Sequence, residues 1–301
     1  MNTTLNTATT TAAAATQVRP VPVAAIDRIL DLAFAEDNPR GDLTADTIVP
    51  LGARASAQVR ARQAGVLSGG QVFARAMKFI DPQIHVVQLV KEGQGFTAGE
   101  VLLTVDGPAA SVLTAERVGL NLLQRMSAIA TATAALVQLV AHTTARIADT
   151  RKTTPGLRVL ERYAVRCGGG VNHRDNLSEA FMAKDNHLAL FPNGPELTAA
   201  LTAVRASLGH TTAMEVEVDS IEQIPAVLAA GVDVIMLDNF TAAQIPAAIT
   251  LIAGRAIVEA SGNISPDTVT AIAEAGVDII SSGAITHSVQ AIDLGLDIVV
   301  A

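Results

Sequence analysis

The sequence predicts an α/β protein whose second half is an open, TIM-like α/β barrel, and three observations predict it. After His142, short apolar runs alternate with helical stretches, the order expected for βα units around a parallel sheet. Two runs share a lead-in, Ala230-Gly-Val-Asp-Val-Ile235 and Ala275-Gly-Val-Asp-Ile-Ile280, each reading as helix end, glycine cap and buried strand. Charged, Gly or Ser residues collect after every run, at the rim where barrels build active sites.

Along the chain, the first 17 residues are Thr/Ala-rich, without Lys, Arg or an apolar core, which fits a disordered tail and no targeting signal. Ile26, Ile29, Leu30, Ala33 and Phe34 share one helical face. Residues 36–47, EDNPRGDLTADT, read as an ordered loop because Asn38-Pro39 and Gly41-Asp42 break the period. From about 56 to 106 the text reads as short strands with glycine turns. Residues 91–107 also match the punctuation of lipoyl or biotinyl carrier domains, but Lys91 precedes the turn and lacks the flanking triplet a carrier needs. Thr114 offers a helix N-cap with Glu116 behind it, and Val118, Leu122, Met126, Ile129, Ala132, Leu136 and Val140 continue as a long stripe. Candidate barrel strands are Arg146–Asp149, Phe181–Ala183, Ala213–Val218, Val232–Leu237, Ala256–Glu259 and Val277–Ser281.

Half the residues are apolar, yet none of the runs approaches the ~20 apolar residues of a membrane span, so a soluble, cytoplasmic protein without a membrane partner is expected. A net charge of −8 argues against nucleic acid as a partner. Charge is nevertheless concentrated: ten of the 21 Lys and Arg residues lie between Arg117 and Lys184, against Asp149, Glu161, Asp175 and Glu179, an excess of six. That excess fits a small polyanion. Cys167 is the single cysteine, which precludes an intrachain disulfide and points to packing.

The rim residues carry the chemistry. Arg151-Lys152, with His173, Arg174 and Lys184 on nearby strand-end loops, can converge on a ligand bearing several negative charges. Glu217 and Asp238 end neighbouring strands and can bind Mg²⁺ through water, stabilise a cationic sugar-like transition state, or merely neutralise rim cations. Ser261-Gly262 and Ser282-Gly283 follow the next strands, where barrels receive phosphate on backbone N–H groups. His85, His142, His210 and His287 lack metal-ligand spacing and read as structural.

Several blocks resemble the quinolinate phosphoribosyltransferase family: EDNPRGDLT (36–44), AERVGLNLLQRMSAIAT (115–131), DTRKTTPGLR (149–158), NHRDNLSEAFMAKDNHL (172–188), EVEVDS (215–220), IMLDNF (235–240), EASGNIS (259–265) and ISSGAITHS (280–288). The resemblance covers nearly the whole chain after about residue 20. It implies an N-terminal α/β sandwich domain (18–121, with 288–301 packing back on it), an open-barrel catalytic domain (122–287) and a homodimer with composite sites. The implied activity joins quinolinate to phosphoribosyl pyrophosphate with decarboxylation, giving nicotinate mononucleotide, pyrophosphate and carbon dioxide, with Mg²⁺ and without an organic cofactor.

Carried over by residue, Arg117 reaches into the partner's site, and Arg151, His173, Arg174 and Lys184 contact the substrate carboxylates. Lys152 and Lys184 lie close to the phosphoribosyl pyrophosphate, with catalytic roles. Glu217 and Asp238 serve the ribose and Mg²⁺, and Ser261, Gly262, Ser282 and Gly283 receive the 5′-phosphate. Asn263 and Ser282 stand where family members often have Gly and Val, which leaves no side-chain role for Ser282 to inherit. Two rival readings share these blocks or the fold: a phosphoribosyltransferase-like paralogue encoded with molybdate transport genes, and a non-catalytic barrel that binds a phosphorylated metabolite.

Overall fold

The computed structural model describes residues 18–299, so the expectation of a disordered tail over residues 1–17 lies outside the described residues. The first half contains α1 (Val23–Asp37), α2 (Leu43–Ile48), β1 (Arg54–Ala61), β2 (Gly65–Val66), α3 (Gly70–Ile80), β3 (His85–Gln88), β4 (Gly95–Phe96) and β5 (Val101–Pro108). Helix α4 (Ala109–Val140) follows, then β6 (Arg146–Ala148), α5 (Arg158–Cys167), β7 (Phe181–Ala183), α6 (Asp185–Leu188), α7 (Pro195–Ser207) and β8 (Met214–Val218). The chain continues through α8 (Ile224–Ala229), β9 (Val234–Asp238), α9 (Ile245–Ile252), β10 (Ile257–Ser261), α10 (Val269–Glu274), β11 (Ile279–Ser281), α11 (Ala284–His287) and β12 (Leu294–Val299).

A four-stranded antiparallel sheet, ordered β12-β1-β5-β3, forms one layer of the first half, and β12 returns from the chain's far end to pair with β1. Alternate residues of β1 are buried, as period-two patterning demands of a sheet covered on one face. Helices α3 and α4 form the covering layer, with α1 outside them. Here the strand reading of 56–106 is corrected: Gly69 at φ 101° opens a helix, and Val72, Phe73, Ala76 and Met77 bury its face. The 36–47 loop is corrected too, because the Asp42 side chain accepts N–H groups from Thr44 and Ala45 and so starts α2. Helix α4 begins at Ala109 rather than Thr114, whose hydroxyl instead donates to Asp42 Oδ2 at 3.0 Å.

Helix α4 has 32 residues, about 48 Å at ~1.5 Å per residue. It packs on β1, β5 and β12 along one part and on β6, α5 and α10 along another, tying the two halves together. Each fully buried side chain on it, such as Leu120, Leu123, Met126 or Ile129, contributes about 1.5–3 kcal/mol of apolar burial.

The second half is a six-stranded parallel sheet ordered β6-β11-β10-β9-β8-β7, so a barrel nearly closes and the edges β6 and β7 are not paired. Val171 sits at that opening, bridging Ala148 in parallel. All six strands coincide with the runs expected from sequence, to within three residues at either end. Among the described residues no helix is long and apolar enough to cross a membrane.

Candidate active site

The C-terminal ends of the barrel strands surround a cavity of about 370 Å³ lined by Thr150, Arg151, Lys152, His173, Arg174, Met182, Lys184, Glu217, Met236, Asp238, Ser261 and Ser281. Eight of the residues expected from sequence therefore share one cavity, and four do not. Cations enter it from three loops: Arg151 and Lys152 follow β6, Lys184 follows β7, and His173-Arg174 follow the Val171 bridge.

Asp149 explains why the Arg174 loop turns inward. Fully buried, it accepts the His173 N–H at 2.7 Å on Oδ1 and the Asn172 amide at 2.6 Å on Oδ2. Burial holds its carboxyl above the ordinary value, and those hydrogen bonds with Arg162 and His173 work against it.

Charge is unbalanced at the cavity. Arg151, Lys152, Arg174 and Lys184 oppose Glu217 and Asp238, four cations against two carboxylates, an excess of two without counting His173. Lys184 Nζ donates to Glu217 Oε2, whereas Arg151, Lys152 and Arg174 have no carboxylate within 4.0 Å among the described residues. Burial and the like charge of Arg151 lower the Arg174 pKa. A dianion placed here would gain roughly 4 kcal/mol per charge pair at 4 Å with an effective dielectric of about 20, before desolvation is subtracted. Glu217 and Asp238 lie on adjacent strands β8 and β9 and line the cavity from the same rim.

Backbone geometry at the other strand ends suits an anion. Asn239 (φ 58°), Gly262 (φ 88°) and Asn263 (φ 53°) are left-handed. The Asn239 N–H donates to Ser261 O at 2.8 Å, and Asn263 Nδ2 donates to Asn239 Oδ1 at 3.0 Å. A Cβ on Gly262 would meet Asn239 Oδ1 at 2.2 Å, so only glycine fits this crossing. The N–H groups of Gly262 and Gly283 have no acceptor among the described residues. Gly283 lies against Lys152, since a Cβ there would come within 2.8 Å of Lys152 Cδ.

One expected position is corrected by its surroundings. Ser282 is buried, lines a different cavity between α4 and the 284–292 segment, and donates its N–H to Ala148 O at 3.0 Å; Ser281 faces the barrel mouth instead. His173 lines the cavity but is not a free cation: Nδ1 accepts the Arg174 N–H at 2.8 Å, and Nε2 lies 3.0 Å from Glu215 and 3.6 Å from Glu259. Arg117 lines a separate hollow with Asp37, Asn38, Gly41, Asp42, Leu43, Leu113 and Thr114, so within one chain it does not reach the barrel mouth.

Glu215 and Glu259 were not singled out from sequence. Each sits mid-strand and buried, beneath His173. The available signal was Met-Glu-Val-Glu-Val in β8, where two acids two apart share the strand's inward face. These three residues bring ligand atoms within 4.8 Å of one another, the only such group found among the described residues.

Burial, then Glu215, pushes the Glu259 carboxyl up to about 7. Because this folded value exceeds the ordinary one of 4.5, protonation favours the fold, and that stability is lost as pH rises through about 7. Glu259→Gln, neutral throughout, is therefore expected to gain Tm relative to the parent between about pH 5 and about pH 8. Calorimetry at both pH values checks this; a Tm difference that does not vary with pH would contradict it.

Comparison with known proteins decides the family. The quinolinate phosphoribosyl transferase N-terminal domain model matches residues 42–127, and the corresponding C-terminal domain model matches residues 129–297. The chain belongs to the quinolinate phosphoribosyltransferase family. A relative from Bacillus subtilis, named probable nicotinate-nucleotide pyrophosphorylase (carboxylating), is 38% identical over 274 residues, covering 91% of this chain and 93% of its own. One of the same name from Synechocystis is 42% identical, covering 91% and 92%. The solved nicotinate-nucleotide pyrophosphorylase of Francisella tularensis superposes with TM-score 0.86 at 36% identity over 94% of this chain and 99% of its own. That of Ehrlichia chaffeensis gives 0.84 at 34% identity over 90% and 98%. The family's two domains thus meet within α4, which crosses both matched ranges.

Proposed function

We propose that this quinolinate phosphoribosyltransferase family member transfers phosphoribosyl from phosphoribosyl pyrophosphate to quinolinate and decarboxylates the product, forming nicotinate mononucleotide, pyrophosphate and carbon dioxide. The observation that carries the reading is the set of unneutralised cations, Arg151, Lys152 and Arg174, facing Glu217 and Asp238 across one barrel mouth. The cations are for charged groups of both substrates; the acids are unnecessary for anion binding and suit a transition state with positive charge on the sugar.

In this reading Arg151 and Arg174 grip the two ring carboxylates through paired N–H donors. Lys152 and Lys184 face the sugar's pyrophosphate, and the Gly262 and Gly283 N–H groups receive its 5′-phosphate. The pyridine nitrogen donates its pair to the ribose anomeric carbon while the carbon–oxygen bond to pyrophosphate breaks, its electrons leaving with pyrophosphate. Developing positive charge on the ribose lies beside Glu217 and Asp238. The ring nitrogen, now cationic, stabilises the electron pair left on the adjacent ring carbon when carbon dioxide departs, and that carbon then takes a proton. Positioning and electrostatics supply most of the rate in such a scheme.

The hard carboxylate oxygens of Glu217 and Asp238 fit Mg²⁺ held through water and substrate; bound there it would offset pyrophosphate charge. No organic cofactor has a role in these steps. We further propose a homodimer in which Arg117 completes the partner's site. Supporting it, Arg117 is exposed beside the exposed Leu43, with exposed Ile48 and Leu51 on the same segment, and the mouth-side segments expose Leu177, Leu190 and Phe191. The same reading takes residues 122–287 as the catalytic unit and places the enzyme in the cytoplasm.

Incubating the purified protein with Mg²⁺, phosphoribosyl pyrophosphate and either quinolinate or nicotinate tests the substrate. Release of carbon dioxide and nicotinate mononucleotide from quinolinate is expected; turnover of nicotinate alone would overturn the assignment.

A further inference from the structure

The segment carrying Arg151 and Lys152 leaves β6 and joins no further strand, yet a phosphate-binding lysine is useful only if its position is fixed within about 0.5 Å. Side chains from three helices hold it. Glu161 on α5, fully buried, accepts the Thr154 N–H at 3.2 Å on Oε2, and on Oε1 it accepts Arg125 Nε at 3.1 Å and Nη2 at 3.0 Å. Arg125, from α4, also reaches the Thr154 hydroxyl at 3.1 Å and the Thr286 carbonyl on α11 at 2.6 Å. Thr286, whose side chain is buried, has its hydroxyl 2.7 Å from the Lys152 carbonyl and 3.0 Å from the Gly283 carbonyl.

These bonds are more than packing. A buried ion pair contributes little net stability over apolar residues of the same volume, so its consequence lies in what it orients. What it orients is the relation of Lys152 to Gly283, where an added Cβ would come within 2.8 Å of Lys152 Cδ. None of Arg125, Glu161 and Thr286 lines the barrel-mouth cavity, so none contacts a ligand there.

We propose that Arg125, Glu161 and Thr286 are positioning residues: they brace the loop so that Lys152 lies over Gly283, where the sugar-phosphate substrate is received. This rests on the functional reading above. Thr286→Val removes the hydroxyl at nearly constant volume, Thr286→Ser keeps it, and Arg125→Lys keeps the charge but loses the simultaneous reach to Glu161, Thr154 and Thr286.

Thr286→Val and Arg125→Lys are expected to raise KM for phosphoribosyl pyrophosphate about tenfold while KM for quinolinate stays within about twofold, and Thr286→Ser is expected to match the parent. Inorganic pyrophosphate binding by titration calorimetry gives a readout independent of turnover and should weaken about tenfold in the same two variants. A parent that binds pyrophosphate but does not turn over quinolinate would overturn the functional reading and still leave this comparison decisive. Folded Thr286→Val and Arg125→Lys with parental pyrophosphate affinity would overturn the brace, as would Thr286→Ser as impaired as Thr286→Val.

Discussion

Replacing Arg151 with alanine is expected to lower kcat/KM for quinolinate by about 10- to 150-fold, the loss of ~1.5–3 kcal/mol that a hydrogen bond to a charged group represents. Arg151 lines the barrel mouth and has no internal carboxylate partner among the described residues, so no native ion pair is sacrificed. Its removal also relieves the like charge that lowers the Arg174 pKa. Stability should therefore stay within about 0.5 kcal/mol of the parent while catalysis falls. Steady-state kinetics with quinolinate varied, paired with a denaturation curve, separate the two; unchanged kinetics would remove Arg151 from the site.

Asp238→Asn is expected to cost about 10²–10³ in kcat, the scale on which removal of one preorganised electrostatic group acts. The substitution preserves shape and removes charge at the end of β9, where Asn239 Nδ2 donates to Asp238 Oδ2 at 2.7 Å. Two consequences distinguish a transition-state role from simple neutralisation of rim cations. The loss should fall on kcat while KM for quinolinate changes little, because quinolinate binding relies on the arginines. If Asp238 only balances nearby cations, its neutralisation would instead tighten binding of the anionic substrates with kcat retained.

The barrel was legible because its strands are short, apolar and punctuated, as the Ala-Gly-Val-Asp lead-ins to β9 and β11 show. Residues that end or directly follow such strands line the cavity, so the convergence of Arg151, Lys152, Lys184, Glu217 and Asp238 could be expected from the strand pattern. Helix α3 was obscured because Gly69-Gly70 resembles a turn, and only burial of Phe73 and Met77 reveals the helical face. Ser282 read as part of a backbone anion loop with Gly283, and only the assembled barrel shows that its N–H is taken by the Ala148 carbonyl. The Glu215–Glu259 contact with His173 joins residues distant in sequence, so no local pattern could have paired them. Arg125, Glu161 and Thr286 escaped for the same reason, since three helices must pack before they meet.

In the proposed homodimer each site is assembled from two chains, with Arg117 supplied across the interface. Mixing Arg117→Ala protein with Arg151→Ala protein, after reversible dissociation and reassociation, tests it directly. Random pairing makes half the dimers mixed, each with one intact and one doubly defective site, so activity should rise to about a quarter of the parental value although each variant alone is deficient. Activity no greater than the average of the two separate variants would show that Arg117 serves its own barrel or none, and would contradict the account.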